Sequence, residues 1–346
     1  MLLVASFLVF CFVAADAFFG KTRSVRIWND KAAPLLTRDD APVKVLVWNV
    51  QYCAGIRQHF FYDGGKAVST PKAEVLSTTE AIACFIAESK ADIVLLQEVD
   101  RRSRRTAYVD EFKICRQILG EEGLGCSASA SYWRVPYVPK PKQERLGRVG
   151  MHLATFSRYR ISGATRHQLP LIESDSRIRR LFNLRRCALT TTIGDVAFVN
   201  THLSAFSNGD GTLEKQVKTL ENDVIPKKKS WLLAGDFNSL APWQRAQDLE
   251  RPEEQALYPG TQSPVAAFYE NYNAAFREPL DDSSSSDWQS NLFTYKAFTS
   301  PLPDRTIDHA FASEDLIFDN TKVLKTQPTF LSDHQPFTFD LRFREK

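Results

Sequence analysis

A chain of 346 residues, 43% of them hydrophobic, can bury a substantial core in one large or two medium domains, which excludes a disordered tail or a disulfide-stapled mini-protein. Lys and Arg number 44 against 41 Asp and Glu, and the net charge of +3 gives no whole-molecule field that would announce a nucleic acid or a membrane as partner. Local clusters decide that question.

Residues 2–15 form a continuous apolar run that ends in Ala15-Asp16-Ala17, a small-x-small pattern for signal peptidase. The expectation is a signal peptide over residues 1–17 and one domain over residues 18–346, secreted or held in the secretory-pathway lumen. A membrane anchor is the competing reading, but a bilayer core needs about 20 apolar residues and this run stops at Asp16. Without Cys11 the mature chain keeps Cys53, Cys84, Cys115, Cys126 and Cys187, an odd number, so at least one thiol stays unpaired or pairs between molecules. Cys84 and Cys115 sit in apolar helical patterns that predict buried free thiols, although Cys115 could bridge to Cys126 in an oxidising compartment.

The run Val43 to Trp48 predicts a buried strand that delivers Asn49 at its end. Pro71 opens a helix with Thr70 as N-cap, and Val75, Thr79, Ile82 and Ile86 share one face. Asp92 to Leu96 is a second apolar strand, ending in Gln97-Glu98. Val109 to Leu119 is helical in pattern and stops at Gly120, after which Gly, Ser, Pro and Tyr predict a long loop up to Gly150. Strands follow over Leu153 to Ser157, Leu184 to Ile193 and Val196 to Thr201, the last two joined by the Gly194-Asp195 turn. Leu213, Val217, Leu220 and Val224 make an amphipathic helix before strand Trp231 to Ala234. Glu250 to Ser300, including Ser283 to Ser286, reads as an irregular surface excursion, and Thr306 to Ala312 and Phe337 to Phe343 as final strands. No repeat or linker is visible. Many strands with intervening helices predict a layered α/β sandwich with helices covering packed sheets.

Polar groups interrupt these apolar strands at their ends. In WLLAGDFNS, Asp236 can orient or deprotonate a water, and Asn238, two positions on, can donate to a phosphate oxygen. By itself a G-D-x-N turn is common. Asp333 and His334 stand side by side before the last strand; the imidazole suits proton transfer, and Asp308 is the candidate carboxylate to fix its tautomer. His202 ends another strand, and Glu98 ends the strand read earlier. A hard cation such as Mg²⁺ needs carboxylate oxygen completed by water and phosphate, so one Glu supported by an Asp or Asn suffices. The chain has no H-E-x-x-H and no Cys quartet, which favours Mg²⁺ or Mn²⁺ over Zn²⁺.

The order Asn49, Gln97-Glu98, Thr201-His202, Gly235-Asp236-x-Asn238, Asp308 and Ser332-Asp333-His334 resembles the endonuclease/exonuclease/phosphatase superfamily, over about residues 44–342. That resemblance implies a four-layer αββα sandwich of the deoxyribonuclease I kind and a metal-dependent phosphoric ester hydrolase. It implies Glu98 as main metal ligand with Asn49 and Asp333 beside it, and Asp236 aligning the attacking water. Asn238 and His202 would bind the scissile phosphate, and His334, oriented by Asp308, would act in proton transfer or transition-state stabilisation. The chain departs from the family in Gln97-Glu98-Val99-Asp100, unlike the Gln-Glu-Thr-Lys of AP endonucleases, and in lacking the Pro-Ala-Trp-x-Asp-Arg signature of inositol phosphatases before His309. Gly150-Met151-His152 replaces a Gly-rich step that helps phosphate binding in related chains.

Two arginine runs bear on the substrate. Arg101, Arg102, Arg104 and Arg105 follow Glu98, and Arg177, Arg179, Arg180, Arg185 and Arg186 form a second cluster. Arg101 and Arg186 are the candidate substrate contacts, for a nucleic-acid backbone or a phospholipid headgroup, against a solvated face that balances nearby acids. The segment SYWRVPYVPKPK interleaves aromatic and basic residues, which suits base stacking or a lipid interface equally. The expected partner is therefore a phosphodiester, first a nucleic acid and alternatively a sphingomyelin-like lipid, with no obligate protein partner. A catalytically silent binding protein of the same fold is the reading from another class.

Overall fold

The computed structural model describes residues 22–40, 42–205, 209–260, 262–277, 288–326 and 330–345. The expected signal peptide and the Ser283–Ser286 run lie outside the described residues. In chain order the strands are β1 (Arg23–Ser24), β2 (Ile27–Trp28), β3 (Val43–Asn49), β4 (Ile93–Asp100), β5 (Cys126–Val138), β6 (Gly147–Ser157) and β7 (Ile161–Gln168). They continue as β8 (Cys187–Ile193), β9 (Val196–His202), β10 (Ser230–Asp236), β11 (Asn273–Ala274), β12 (Asp308–Ala312), β13 (Leu316–Val323) and β14 (Phe337–Phe343). One sheet runs β1-β7-β8-β9-β10-β12-β11 and the other β13-β14-β3-β4-β6-β5-β2.

Period-2 alternation sets the layers. Val45, Val47, Ile93 and Leu95 face Phe198, Leu232 and Ala234 in the core between the sheets. The alternate residues Leu46, Trp48, Val94 and Leu96 turn outward and meet Ile82, Ile86, Phe112 and Leu119 of the helices Lys72–Glu88 and Glu111–Glu121. On the far side, Val199 and Leu233 pack on Leu213 and Val217 of the helix Thr212–Thr219 and on Leu220 in the π-type turn that continues it. Each such aliphatic side chain withdrawn from water contributes about 1.5–3 kcal/mol. The result is a four-layer α/β sandwich with helices outside two packed, mixed sheets.

Each sheet contains one parallel pair, β3 with β4 and β9 with β10. A helix must return the chain between parallel strands, and Lys72–Glu88 and Thr212–Thr219 do so. Asn49, His202 and Asp236 end three of these strands, and Gln97-Glu98 stand level with Asn49 within β4. Their antiparallel neighbours enter from the same edge: β12 begins at Asp308, opposite Asp236, and β14 begins three residues after His334.

Several sequence expectations are corrected. The loop expected from Gly120 to Gly150 is mostly the long β5–β6 hairpin. In β5, Cys126, Ala128, Ala130 and Tyr132 alternate with serines, a strand period carried by side chains too small to raise local hydropathy. β7 and β13 were not anticipated; β7 reads as polar because its Arg166 is buried and donates to the backbone oxygens of Ser131 and Arg185. The excursion after Glu250 is not wholly superficial, since Val265 and Phe268 join the core under the Thr212–Thr219 helix. Thr70 does not cap its helix: Pro71 is the N-cap, and the Thr70 amide donates to Arg105 O at 2.7 Å. Cys84 is exposed, and all five described cysteines are free, including Cys115 and Cys126. No described helix is long and apolar enough to cross a membrane.

Candidate active site

Two backbone devices aim the site. The β4–β6 register shifts between Leu96 and Val99, and within that bulge Glu98 adopts φ 59°, a left-handed conformation unfavourable for Glu. Glu98 thus sits inside β4 instead of at its end. In β10, Gly235 has φ 144°, and a Cβ there would lie 2.0 Å from Thr201 O, so only glycine lets β10 approach β9 where Asp236 pairs with His202. Beneath the site the sheets are tied by Gln97 Nε2, which donates to Asn200 Oδ1 at 2.7 Å, and by Asn200 Nδ2, which donates to Leu96 O and Ala154 O, both at 3.0 Å.

Asp236 is the hub. Its Oδ2 accepts from Asn49 Nδ2 at 2.9 Å and lies 3.2 Å from His202 Nε2 and 3.7 Å from His334 Nε2, while Oδ1 accepts from the Asn238 amide at 2.9 Å. His334 Nδ1 is 2.8 Å from Asp308 Oδ2. Burial draws the His334 pKa down, but the carboxylates of Asp308, Asp236 and Asp333 outweigh it and push it up to about 10. His202 moves the other way: burial, then Arg186 and His334, hold it well below its ordinary value, so it is neutral. Its Nδ1 lies 3.2 Å from the Tyr132 hydroxyl, and burial keeps that hydroxyl protonated and able to donate. Burial, aided by Asp308 and opposed by His334, raises Asp236 to about 7.

Glu98, Arg186, His202, Asp236, Asn238, Asp333 and His334 line one cleft of about 130 Å³. Asn49 and Asp308 stand behind it, bonded to Asp236 and His334. Asn238 has φ 48°, and its Nδ2 donates to Leu203 O at 3.1 Å. Arg186 is 6% exposed, its guanidinium carbon is 5.3 Å from the Tyr132 ring centre, and its Nη1 has no hydrogen-bond partner among the described residues.

The donor set fits a hard divalent cation. Burial raises Asp333 to about 7, with Glu98 and Asp63 adding to the effect and His334 opposing it, and burial with Glu98 raises Asp63 to about 6. Asp333, Asp63 and Glu98 thus crowd one cleft, a repulsion that a bound cation would relieve, and oxygen donors suit a hard divalent ion. Asn49 Oδ1 accepts from the Gln51 amide at 3.0 Å and keeps a second lone pair. A neighbouring seat exists where ligand atoms of Asp236, Asp308 and His334 lie within 4.8 Å of one another.

Arg101 is not brought to the cleft. Its Nε donates to Asp110 at 3.0 Å and its guanidinium covers the Phe112 ring, so it serves the helix-facing side of the sheet. Arg104 pairs with Glu144, and Arg105, 2% exposed, pairs with Asp100 at 2.8 Å. Most of the first arginine run is thus neutralised internally. Asp63, before the turn-forming Gly64-Gly65, carries no sequence signal, and Tyr132, expected in SYWRVPYVPKPK as a loop aromatic, instead stands in β5 against His202. Nor does the sequence single out Tyr52, Tyr62, Tyr258 and Tyr295, which line the cleft. His152, in β6, is half-buried, and desolvation with the nearby charge of Arg101 holds it down to about 3, its Nδ1 lying 3.1 Å from Gly150 O.

The fold is shared with solved structures of low sequence identity. An endonuclease/exonuclease/phosphatase from Beutenbergia cavernae DSM 12333 is 22% identical with a TM-score of 0.59, covering 88% of this chain and 72% of that one. The human Nocturnin catalytic domain with bound sulfate anion is 17% identical with a TM-score of 0.52, covering 94% of this chain and 98% of that one. An endonuclease/exonuclease/phosphatase family protein from Leptotrichia buccalis C-1013-b is 15% identical with a TM-score of 0.55, covering 87% of this chain and all of its own. No curated protein sequence matches the chain. The model of the Endonuclease/Exonuclease/phosphatase family matches residues 46–334, and the chain belongs to that family of generally hydrolytic, typically divalent-metal-dependent phosphoesterases.

Proposed function

We propose that the chain is a secreted, Mg²⁺-dependent phosphodiesterase that cleaves a nucleic-acid-type phosphodiester by water attack. The observation that carries this reading is the buried guanidinium of Arg186, which lines the carboxylate cleft with Nη1 unpartnered among the described residues. A buried guanidinium lacking part of its hydrogen bonding is costly unless an anion completes it, and phosphate matches its planar donors. Secretion rests on the apolar run and Ala15-Asp16-Ala17 alone.

In this reading Asn49, Glu98 and Asp333 hold Mg²⁺, with Asp63 nearby. A bound Mg²⁺ supplies Lewis-acid polarisation of the phosphoryl oxygen and neutralises developing charge. Asp236, poised near neutrality and fixed by Asn49 and the Asn238 amide, aligns the water and accepts its proton. His202, neutral and held between Tyr132 and Asp236, and the amide of Asn238 flank the scissile phosphate. His334 is an imidazolium at neutral pH, so it offers positive charge to the transition state and a proton to the leaving oxygen. Tyr258 and Tyr295 add aromatic surface to the cleft lining, which supports a substrate that carries a base.

The test presents purified protein with plasmid DNA, RNA and sphingomyelin vesicles under Mg²⁺ and again under EDTA. Mg²⁺-dependent cleavage of a nucleic acid supports the proposal. Phosphocholine release without nucleic-acid cleavage overturns the substrate, and no turnover of any of the three or of bis-p-nitrophenyl phosphate removes the enzymatic reading.

A further inference from the structure

Beside the catalytic cleft lies a larger cavity of about 570 Å³, within the roughly 300–1,000 Å³ typical of small-molecule sites. The two share a wall made by Ala205, Asn238, Leu257 and Tyr258. The cleft, at about 130 Å³, takes a phosphoryl group but not the whole of a diester. Whatever is esterified to a phosphate held beside Asn238 has the neighbouring cavity within reach.

The chemistry of the cavity selects among the candidates. Its charged lining, among the described residues, consists of Glu214, Glu270 and Arg245, and the guanidinium of Arg245 is already 2.8 Å from Asp248. A run of further phosphates would face a wall with more negative than free positive charge, which disfavours a continuous polyanionic backbone. Acyl chains are disfavoured too, because they would desolvate the amides of Gln247 and Gln262 without returning hydrogen bonds. Those amides can both donate and accept, and Leu240, Pro242 and Tyr258 add flat apolar surface. A neutral, ring-shaped group with polar edges satisfies both sets.

We propose that this cavity binds one nucleoside of the substrate, so that the enzyme acts on a nucleotide-sized ester or a terminal nucleotide instead of gripping a long strand. The inference rests on the phosphodiesterase reading and narrows its substrate.

Two measurements test it. Calorimetry under Mg²⁺ compares thymidine 5′-monophosphate with inorganic phosphate, and does not depend on turnover. The nucleotide should bind at least about tenfold more tightly, the equivalent of about 1.4 kcal/mol. Steady-state kinetics then compares thymidine 5′-p-nitrophenyl phosphate with bis-p-nitrophenyl phosphate in wild type and Ala246→Trp, whose indole would fill the cavity from the half-exposed wall residue Ala246. The ratio of the two kcat/KM values should fall at least about tenfold. Equal affinity for nucleotide and phosphate, or a ratio that Ala246→Trp leaves unchanged, overturns the nucleoside site. Failure of wild type to hydrolyse either ester overturns the phosphodiesterase reading, while the calorimetry still reports on the cavity. A variant that does not fold leaves the wild-type calorimetry as the deciding result.

Discussion

Trp48 Nε1 donates to the backbone oxygen of His334 at 2.9 Å, joining residues 286 positions apart. Ser332 Oγ adds a bond to Asn49 O at 2.7 Å, so the end of β3 and the segment before β14 are clamped at the point where Asn49 and His334 meet Asp236. Trp48→Phe keeps an aromatic ring but strands a buried carbonyl. It should lower the unfolding free energy by about 1–3 kcal/mol in urea titrations and reduce kcat more than it changes KM. An unchanged kcat would mean that the clamp does not position His334.

Arg186→Met should raise KM for bis-p-nitrophenyl phosphate by roughly 10–100-fold, the worth of a charge-assisted hydrogen bond of about 1.5–3 kcal/mol. Initial-rate kinetics checks this. Arg101→Met, which breaks the pair with Asp110 away from the cleft, should change KM less than about twofold.

Glu111 makes stability depend on pH. Burial, reinforced by the charge of Asp100, holds its carboxyl well above the ordinary range, while its Oε2 accepts from the Asp100 amide at 2.7 Å. The unfolded chain releases this proton above about pH 4.3, the folded chain keeps it, and stability contributed here falls as pH rises from that value toward the folded pKa. Glu111→Gln preserves the acceptor and removes the titration. Its unfolding free energy should decline less than that of wild type between about pH 5 and 8, measured by urea unfolding across that range. Parallel profiles would contradict a protonated Glu111.

Gly235→Ala forces a Cβ to within 2.0 Å of Thr201 O at φ 144°. Backbone strain alone is worth about 1–3 kcal/mol, and separating β9 from β10 adds to it. A loss of more than about 3 kcal/mol in chemical unfolding is expected. A near-neutral result would show that the strands relax freely.

Most of the residues legible in the sequence share one property: each is a polar side chain that interrupts an apolar strand. Asp236, His202 and Asp308 stand out that way and His334 by its place beside Asp333 before the last strand, and the structure gathers them because parallel strands end, and antiparallel strands begin, at one edge. Asp63 gave no such signal, since an acid before Gly64-Gly65 looks like any turn. Tyr132 reads as a loop aromatic because the Ser-Ala alternation of β5 satisfies the strand period without hydropathy. Arg101 and Arg186 are indistinguishable in sequence, because composition does not reveal partners: Asp110 satisfies Arg101, whereas no described side chain completes Nη1 of Arg186. The bulge at Glu98 is likewise a property of register, which residue pattern alone leaves open.

The central claim is that one cation and one phosphate meet between Glu98, Arg186 and His334. Bis-p-nitrophenyl phosphate hydrolysis by wild type, Glu98→Gln and His334→Ala, each with Mg²⁺ and with EDTA, tests it most directly. Turnover should require Mg²⁺, should fall by at least about a hundredfold in His334→Ala, and should need roughly 10–100-fold more Mg²⁺ for half-maximal rate in Glu98→Gln. Rates that are the same in all three proteins, or indifferent to EDTA, would contradict it.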